Sequence, residues 1–291
     1  MAAKVAIITD SSSGITPQQG EELGVMVLPM PFMVNGEVCL EYVELTQAEF
    51  YQKLEEDADI STSQPTVGSV LDIWEQAFQD GYDEILYIPI SSGLSGSCET
   101  ARMLAADYDG KVQVVDNQRV SVTMRQSVLD ALVLKEQGLD AVQIREKLEE
   151  TKLDSSIYIM LDTLKYLKKG GRITPAAAAM GTILRLKPVL QIQGEKLDAY
   201  AKARNLKQAK SIMLDAIEKD MKERFSKKSD YSDMHICVAH SNSPEEAMIF
   251  KQEVEARFPG REVYVDCLAL NIACHIGSGA LAVTCSKDIL A

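Results

Sequence analysis

Long apolar runs are missing from this 291-residue chain. No stretch reaches the roughly 18 consecutive apolar residues that a bilayer-spanning helix needs, so no segment is expected to cross a membrane. The opening run Met1-Ala2-Ala3-Lys4-Val5-Ala6-Ile7-Ile8-Thr9-Asp10 turns polar too soon to read as a secretory signal. Metal-ligand spacing is missing as well. The six cysteines (Cys39, Cys98, Cys237, Cys267, Cys274 and Cys285) contain no C-x-x-C pair, and three histidines leave little to complete a zinc cluster. Most of these cysteines sit in apolar runs and read as reduced, buried thiols, which fits a cytoplasmic protein. Basic charge is scarce: 30 Lys+Arg stand against 43 Asp+Glu, a formal net charge of −13. Chains that coat phosphate backbones carry the opposite sign, so nucleic acid is not expected as a partner, nor an anionic membrane as a whole-surface one. Nucleotide signatures are absent too, with neither G-x-x-x-x-G-K-[ST] nor a G-x-G-x-x-G after the first apolar run.

What is present is an ordinary globular composition, 46% hydrophobic and 25% charged, long enough for one large or two medium domains. Residues 1–154 alternate β-rich runs with helical stretches. Val5–Thr9, Val25–Pro29, Glu84–Pro89 and Lys111–Val115 read as strands. Thr16-Pro17-Gln18-Gln19 and Thr46-Gln47-Ala48-Glu49 are capping boxes that open helices. Ile60–Thr66 reads as a polar loop before a helix reaching about Gln79, which carries the lone tryptophan, Trp74, on its apolar face. Further helices are expected from Ser97 to about Ala106, over Ser121–Gln137 and over Ala141–Glu150. This alternation predicts an α/β domain with a parallel sheet, in which ligands bind at the carboxyl ends of strands. Residues 155–291 read differently. Ile157–Met160, Pro188–Gln191, Leu197–Ala201, His235–His240 and Glu262–Leu268 are expected strands, with a hairpin-like turn at Gln193-Gly194. A long helix follows Asn205, and Ser243-Pro244-Glu245-Glu246 has the form of a capping box. The expectation is a second, α+β domain.

Two segments combine hydroxyls with turn residues: Ser61-Thr62-Ser63-Gln64-Pro65 and Ser91-Ser92-Gly93-Leu94-Ser95-Gly96-Ser97. Singly, such residues are turn formers and helix caps. Together in one α/β domain, one of them following a strand, they form a candidate cradle in which hydroxyls and helix-start N–H groups solvate a small anion. Gly93-Leu94-Ser95-Gly96-Ser97 also comes within one residue of the G-x-S-x-G elbow of hydrolases. His275, in a Gly-rich and loop-like setting, is the histidine available to it, but no acid partner is evident.

Six blocks stand in the order seen in the DegV family: Thr9-Asp10-Ser11-Ser12-Ser13, Thr62-Ser63-Gln64-Pro65, Ser91-Ser92-Gly93-Leu94-Ser95-Gly96, Leu164 to Ile173, Leu186-Lys187-Pro188 and His275-Ile276-Gly277-Ser278-Gly279-Ala280. The chain resembles that family over nearly its whole length. The resemblance implies a long-chain fatty acid bound in a tunnel between two α/β domains, with no cofactor. It implies a protein that is not itself an enzyme and that presents the fatty acid to an ATP-dependent fatty-acid kinase for acyl-phosphate formation. Carried onto this chain, Thr62 and Ser95 would hold the carboxylate, with Ser63, Ser92 and Gly96 around them and His275 beside the head group. Arg172 and Arg204 would lie at the mouth facing the kinase. A departure is Asp116-Asn117-Gln118-Arg119-Val120-Ser121, which lacks the glycines often found there.

Between Lys165 and Lys210 the charge reverses, with eleven Lys/Arg and two acids, Glu195 and Asp198. Part of this stretch reads as a solvated basic face, and part as a mouth that draws in an anionic ligand and meets an acidic or ATP-bearing partner. Two other functions stay open at this point: a stand-alone hydrolase or phosphotransferase acting on a small anion, and a lipid-responsive regulatory protein without a kinase. A monomer, loading lipid by transient membrane contact, is the expected state outside a kinase complex.

Overall fold

The computed structural model describes residues 3–180 and 186–291. The chain divides into two compact units, Met1–Lys152 and Leu153–Ala291.

In the first unit, β1 (Val5–Asp10) is buried along its whole length. Thr16 and Gln19 cap α1 (Pro17–Leu23) reciprocally, and Gly24 stops it in the left-handed conformation. β2 (Met26–Leu28) follows, then β3 (Pro31–Val34) and β4 (Glu37–Leu40), which pair antiparallel. Their turn, Asn35-Gly36, has φ of +53° and +89°, the conformation that Asn-Gly adopts in two-residue hairpins. The Thr46–Glu49 box opens α2 (Gln47–Glu55) as expected. Ile60–Thr62, expected as loop, is strand β5, because β3 offers it a ladder at Phe32↔Thr62, Met33↔Ser61 and Val34↔Ile60. Then come α3 (Val67–Gln79), β6 (Glu84–Ile88), α4 (Ser97–Ala105), β7 (Val112–Val114), α5 (Val122–Glu136) and α6 (Ala141–Glu150). The main sheet has the order β2-β1-β6-β7 and is parallel throughout, and β4-β3-β5 forms a small separate sheet. Trp74, fully buried on α3, packs edge-on against Tyr87 of β6 at 5.9 Å between ring centroids.

The second unit runs β8 (Ser155–Met160), α7 (Lys165–Gly170), α8 (Pro175–Met180), β9 (Lys187–Ile192), β10 (Asp198–Ala203), α9 (Leu206–Asp220), β11 (Met234–His240), α10 (Pro244–Arg257), β12 (Val263–Cys267), α11 (Leu270–Ile276) and β13 (Leu281–Lys287). Its sheet has the order β10-β9-β8-β13-β11-β12, antiparallel except for β11 with β12. The last strand of the chain thus lies at the centre of the sheet, and all but its final residue is buried. Asn205 caps α9 through Gln208 N, as expected. Ser243 does not cap α10. Its backbone (φ −141°, ψ 54°) turns the side chain away, and its N–H donates to His240 Nδ1 at 3.3 Å instead. Met213, Ile217, Val238 and Phe250 centre the core. Among the described residues, no helix is long and apolar enough to cross a membrane.

Candidate functional site

In the first unit the chain leaves β1 towards β2 and leaves β6 towards β7, so the loops at their carboxyl ends diverge. Open parallel sheets place ligands at such a split. A buried carboxylate ties the two loops together beneath it. Asp10, at the end of β1, accepts the N–H of Ser12 on one oxygen at 2.9 Å and the N–H of Ile90 on the other at 2.8 Å. Burial pushes its pKa up, against the lowering effect of these hydrogen bonds. The serines after β1 are fully buried and serve the fold: Ser11 Oγ donates to Glu41 Oε2 at 2.8 Å and accepts Met30 N at 3.0 Å, and Ser13 Oγ donates to Asp10 O at 2.9 Å.

The two hydroxyl-rich segments meet in this unit. Thr62 ends β5 opposite Phe32, and strand alternation puts it on the face of the small sheet that buries Phe32, Val34 and Ile60. Thr62 is half-buried, whereas Ser63 points the other way, is exposed, and spends its hydroxyl on Gln64 O at 3.2 Å. Gln64 Oε1 accepts from Thr100 Oγ1 on α4 at 3.3 Å and lies 3.4 Å from where a Cβ on Gly96 would be. The segment after Thr62 therefore runs against the start of α4, close to Ser95. Ser95 is half-buried, and its Oγ accepts the N–H of Ser97 at 3.2 Å, which leaves the hydroxyl proton free to be donated. α4 has no side-chain cap at Gly96, so its first-turn N–H groups add partial positive charge beside Ser95. Ser92 is exposed, and its N–H is taken by Asp116 Oδ1 at 3.2 Å.

Sequence reasoning missed the framework beneath these loops. The segment that lacks glycines, 116–121, reaches the needed backbone with Gln118 and Ser121 at φ +56° and +55°. The buried Arg119 holds it, donating to Thr151 O at 3.0 Å, with Nη1 3.9 Å from Asp130 Oδ2. Arg119 O in turn accepts Ser91 N at 3.1 Å. Arginine at a strand end carried no signal of burial, but buried charges need such partners. Ser97, also missed, is buried with a hydroxyl that has no partner.

In the second unit, His275 is not in a loop but in the last turn of α11, where an i−4 bond from Gly277 N to Ala273 O at 2.7 Å closes the helix. It lies against Gly170 at the end of α7, and Arg172 Nη1 donates to Gly170 O. Burial, and secondarily the Arg172 charge, drive the His275 pKa down to about 4, so the ring is neutral at physiological pH. Arg204 is exposed, beyond the end of β10. Arg172 O accepts Leu197 N, before β10 begins, so the two backbones are separated by the strand, roughly 20 Å at strand rise. Of the other basic residues, Lys210 is buried between Glu246 and Glu253, and Lys187 pairs with Asp162 at 2.5 Å. Arg185 lies outside the described residues. Among the described residues, no group of three or more His, Cys, Asp or Glu side chains is placed to hold a metal ion.

The DegV family model, described as an uncharacterised protein of the DegV family, matches residues 4–288. The chain belongs to the DegV family. A DegV domain-containing protein of Listeria innocua is 28% identical over 288 residues, covering 98% of this chain and 99% of its own. Among solved structures, a fatty-acid-binding DegV-family protein from Thermus thermophilus superposes with a TM-score of 0.88 at 30% identity, covering 98% of this chain and 99% of that one. DegV of Bacillus subtilis, described as a fatty-acid-binding protein, gives 0.86 at 27%, covering 99% of this chain and 100% of its own. The parallel-sheet unit and the mixed-sheet unit are thus the DegV fold, and the hydroxyl loops and the His275 cluster fall within its matched length.

Proposed function

We propose that this DegV-family chain binds a long-chain fatty acid, with Thr62 and Ser95 donating to its carboxylate. The observation that carries the reading is full-length similarity to DegV structures described as fatty-acid-binding, at 27 and 30% identity. The adjacency of the Thr62 and Ser95 segments supports it. A carboxylate leaving water needs donors, or it binds as the neutral acid. Ser95 has a proton to give, and the start of α4 adds its N–H dipoles. Ser63, Ser92 and Gly96 act as the frame of this cradle rather than as donors from their side chains. His275, with Arg172, is the polar group that the second unit offers the ligand. Each buried methylene contributes about 0.8 kcal/mol, so a tail of roughly fourteen supplies on the order of 11 kcal/mol before ordering of the chain offsets part of it. Tail burial sets affinity and the hydroxyls set head-group choice.

The finer part of the proposal is that the protein works in the cytoplasm, presenting the fatty acid to an ATP-dependent fatty-acid kinase without catalysing the transfer itself. The basic stretch containing Arg172 and Arg204 suits an acidic or ATP-bearing partner. Native mass spectrometry after mild purification tests the binding step. The expected result is the mass of a long-chain fatty acid on the protein, with palmitate affinity lowered at least about 100-fold in Thr62→Val/Ser95→Ala. An empty protein that takes up no added palmitate refutes it. For the kinase step, acyl phosphate should form from ATP and palmitate only when both the kinase and this chain are present. Formation without this chain refutes that role.

A further inference from the structure

The last residue of α7 rests against the imidazole of His275. A Cβ on Gly170 would fall 2.2 Å from Nδ1, 2.8 Å from Cε1 and 3.3 Å from Cγ of that ring. Atoms do not approach a Cβ so closely, so even alanine at this position must displace the ring or the helix. The contacting edge is Nδ1–Cε1, which leaves Nε2 as the ring nitrogen farther from α7. The same glycine serves a second side chain, because its carbonyl accepts Arg172 Nη1. α11 is fixed independently: Ser241 Oγ donates to Gly277 O at 2.6 Å and accepts Ala280 N at 2.9 Å. With α11 anchored, a side chain at 170 is relieved most readily by swinging the imidazole out of its seat.

We propose that Gly170 is a positioning residue for ligand recognition, seating His275 so that Nε2, beside the Arg172 guanidinium, is presented to the head group of the ligand. The ligand's identity rests on the fatty-acid reading above, and the seating of the ring does not. A seated ring is shielded from water and close to Arg172, which is why it is neutral at physiological pH. A displaced ring loses both influences and regains an ordinary imidazole pKa near 6.5. One hydrogen bond to a charged head group then fails to form.

The test compares wild type, Gly170→Ala, His275→Ala and the double variant by imidazole NMR titration, palmitate affinity and thermal unfolding. The His275→Ala spectrum identifies which of the three imidazole signals belongs to His275. The expected wild-type titration is near 4. Gly170→Ala should move it towards 6.5 and weaken palmitate binding about tenfold. Removing the ring makes room for the methyl group, so the double variant should match His275→Ala in both affinity and Tm. That comparison holds even if Gly170→Ala alone folds poorly. An unmoved titration in Gly170→Ala, or a double variant clearly worse than His275→Ala, overturns the proposal. If the titration moves but palmitate affinity does not, the role in recognition is overturned. If no variant, wild type included, binds palmitate while the titration moves as expected, the seating stands and the fatty-acid reading fails.

Discussion

Asp10 offers the sharpest test of how the hydroxyl loops are held. Its carboxylate is fully buried and takes two backbone N–H groups on separate oxygens, Ser12 N at 2.9 Å and Ile90 N at 2.8 Å. Asp10→Ala orphans both donors, each at a cost of about 1–3 kcal/mol, while removing the burden of burying a charge. The net expectation is a loss of about 2–4 kcal/mol, or a Tm lowered by roughly 6–12 °C. Asp10→Asn is expected to help little, because its single carbonyl oxygen serves one N–H and its amide nitrogen confronts the other. The pH dependence has a definite sign. Burial raises the folded pKa of Asp10 above its ordinary value of 3.8. Folded protein therefore holds this proton more tightly than unfolded protein, and the group's contribution is fully present below 3.8 and falls as pH rises through the raised folded value. The stability gap between wild type and Asp10→Asn should thus widen on acidification through that window. Urea unfolding at several pH values measures the gap, and hydrogen exchange at Ser12 and Ile90 localises it. A loss below about 0.5 kcal/mol for Asp10→Ala, or a gap that narrows in acid, refutes the argument.

Two further outcomes follow from other parts of the molecule. Burial pushes the Cys98 thiol up to about 12, so native protein should react with a disulfide reagent at Cys98 about a thousandfold more slowly than an ordinary thiol. Rapid labelling of Cys98 under native conditions contradicts this. Lys210, buried with its ammonium on Glu246 and Glu253 and its stem near Phe250, is a structural cation. Lys210→Ala should cost about 2–3 kcal/mol, less than a fully buried pair because both glutamates are partly exposed, and Lys210→Met should recover part of it through packing. Palmitate binding should be unchanged in Lys210→Met, and a loss there would return Lys210 to the ligand or partner surface.

Features governed by a few neighbouring residues were legible in the sequence. The caps at Thr16, Thr46 and Asn205 form as read, because cap chemistry closes within one turn. The same logic misread Ser243, whose N–H is claimed by His240, a partner fixed by β11. The Asn35-Gly36 turn was a readable hairpin signal between short strands, and it went unread. β5 resembles loop because Ser61 and Thr62 are polar, and only pairing with β3 makes it a strand. β13 is buried on both faces at the centre of its sheet, so its sequence lacks the alternation that marks a half-exposed strand.

The serines show where the boundary lies. Ser11, Ser13, Ser63, Ser92 and Ser95 all stand in hydroxyl-rich loops, and by type any could face a ligand. The sequence by itself determined the α/β class, the strand-end location of the loops and the family signature, since these depend on local periodicity and residue order. Tertiary structure alone decided that Ser11 is spent on Glu41 and Met30, that Ser63 points outward, and that Ser95 keeps a proton to donate. It likewise decided that His275 is a neutral ring pressed on Gly170. A hydroxyl or an imidazole takes its role from whichever partner occupies its hydrogen-bonding sites, and those partners come from segments far away in the chain.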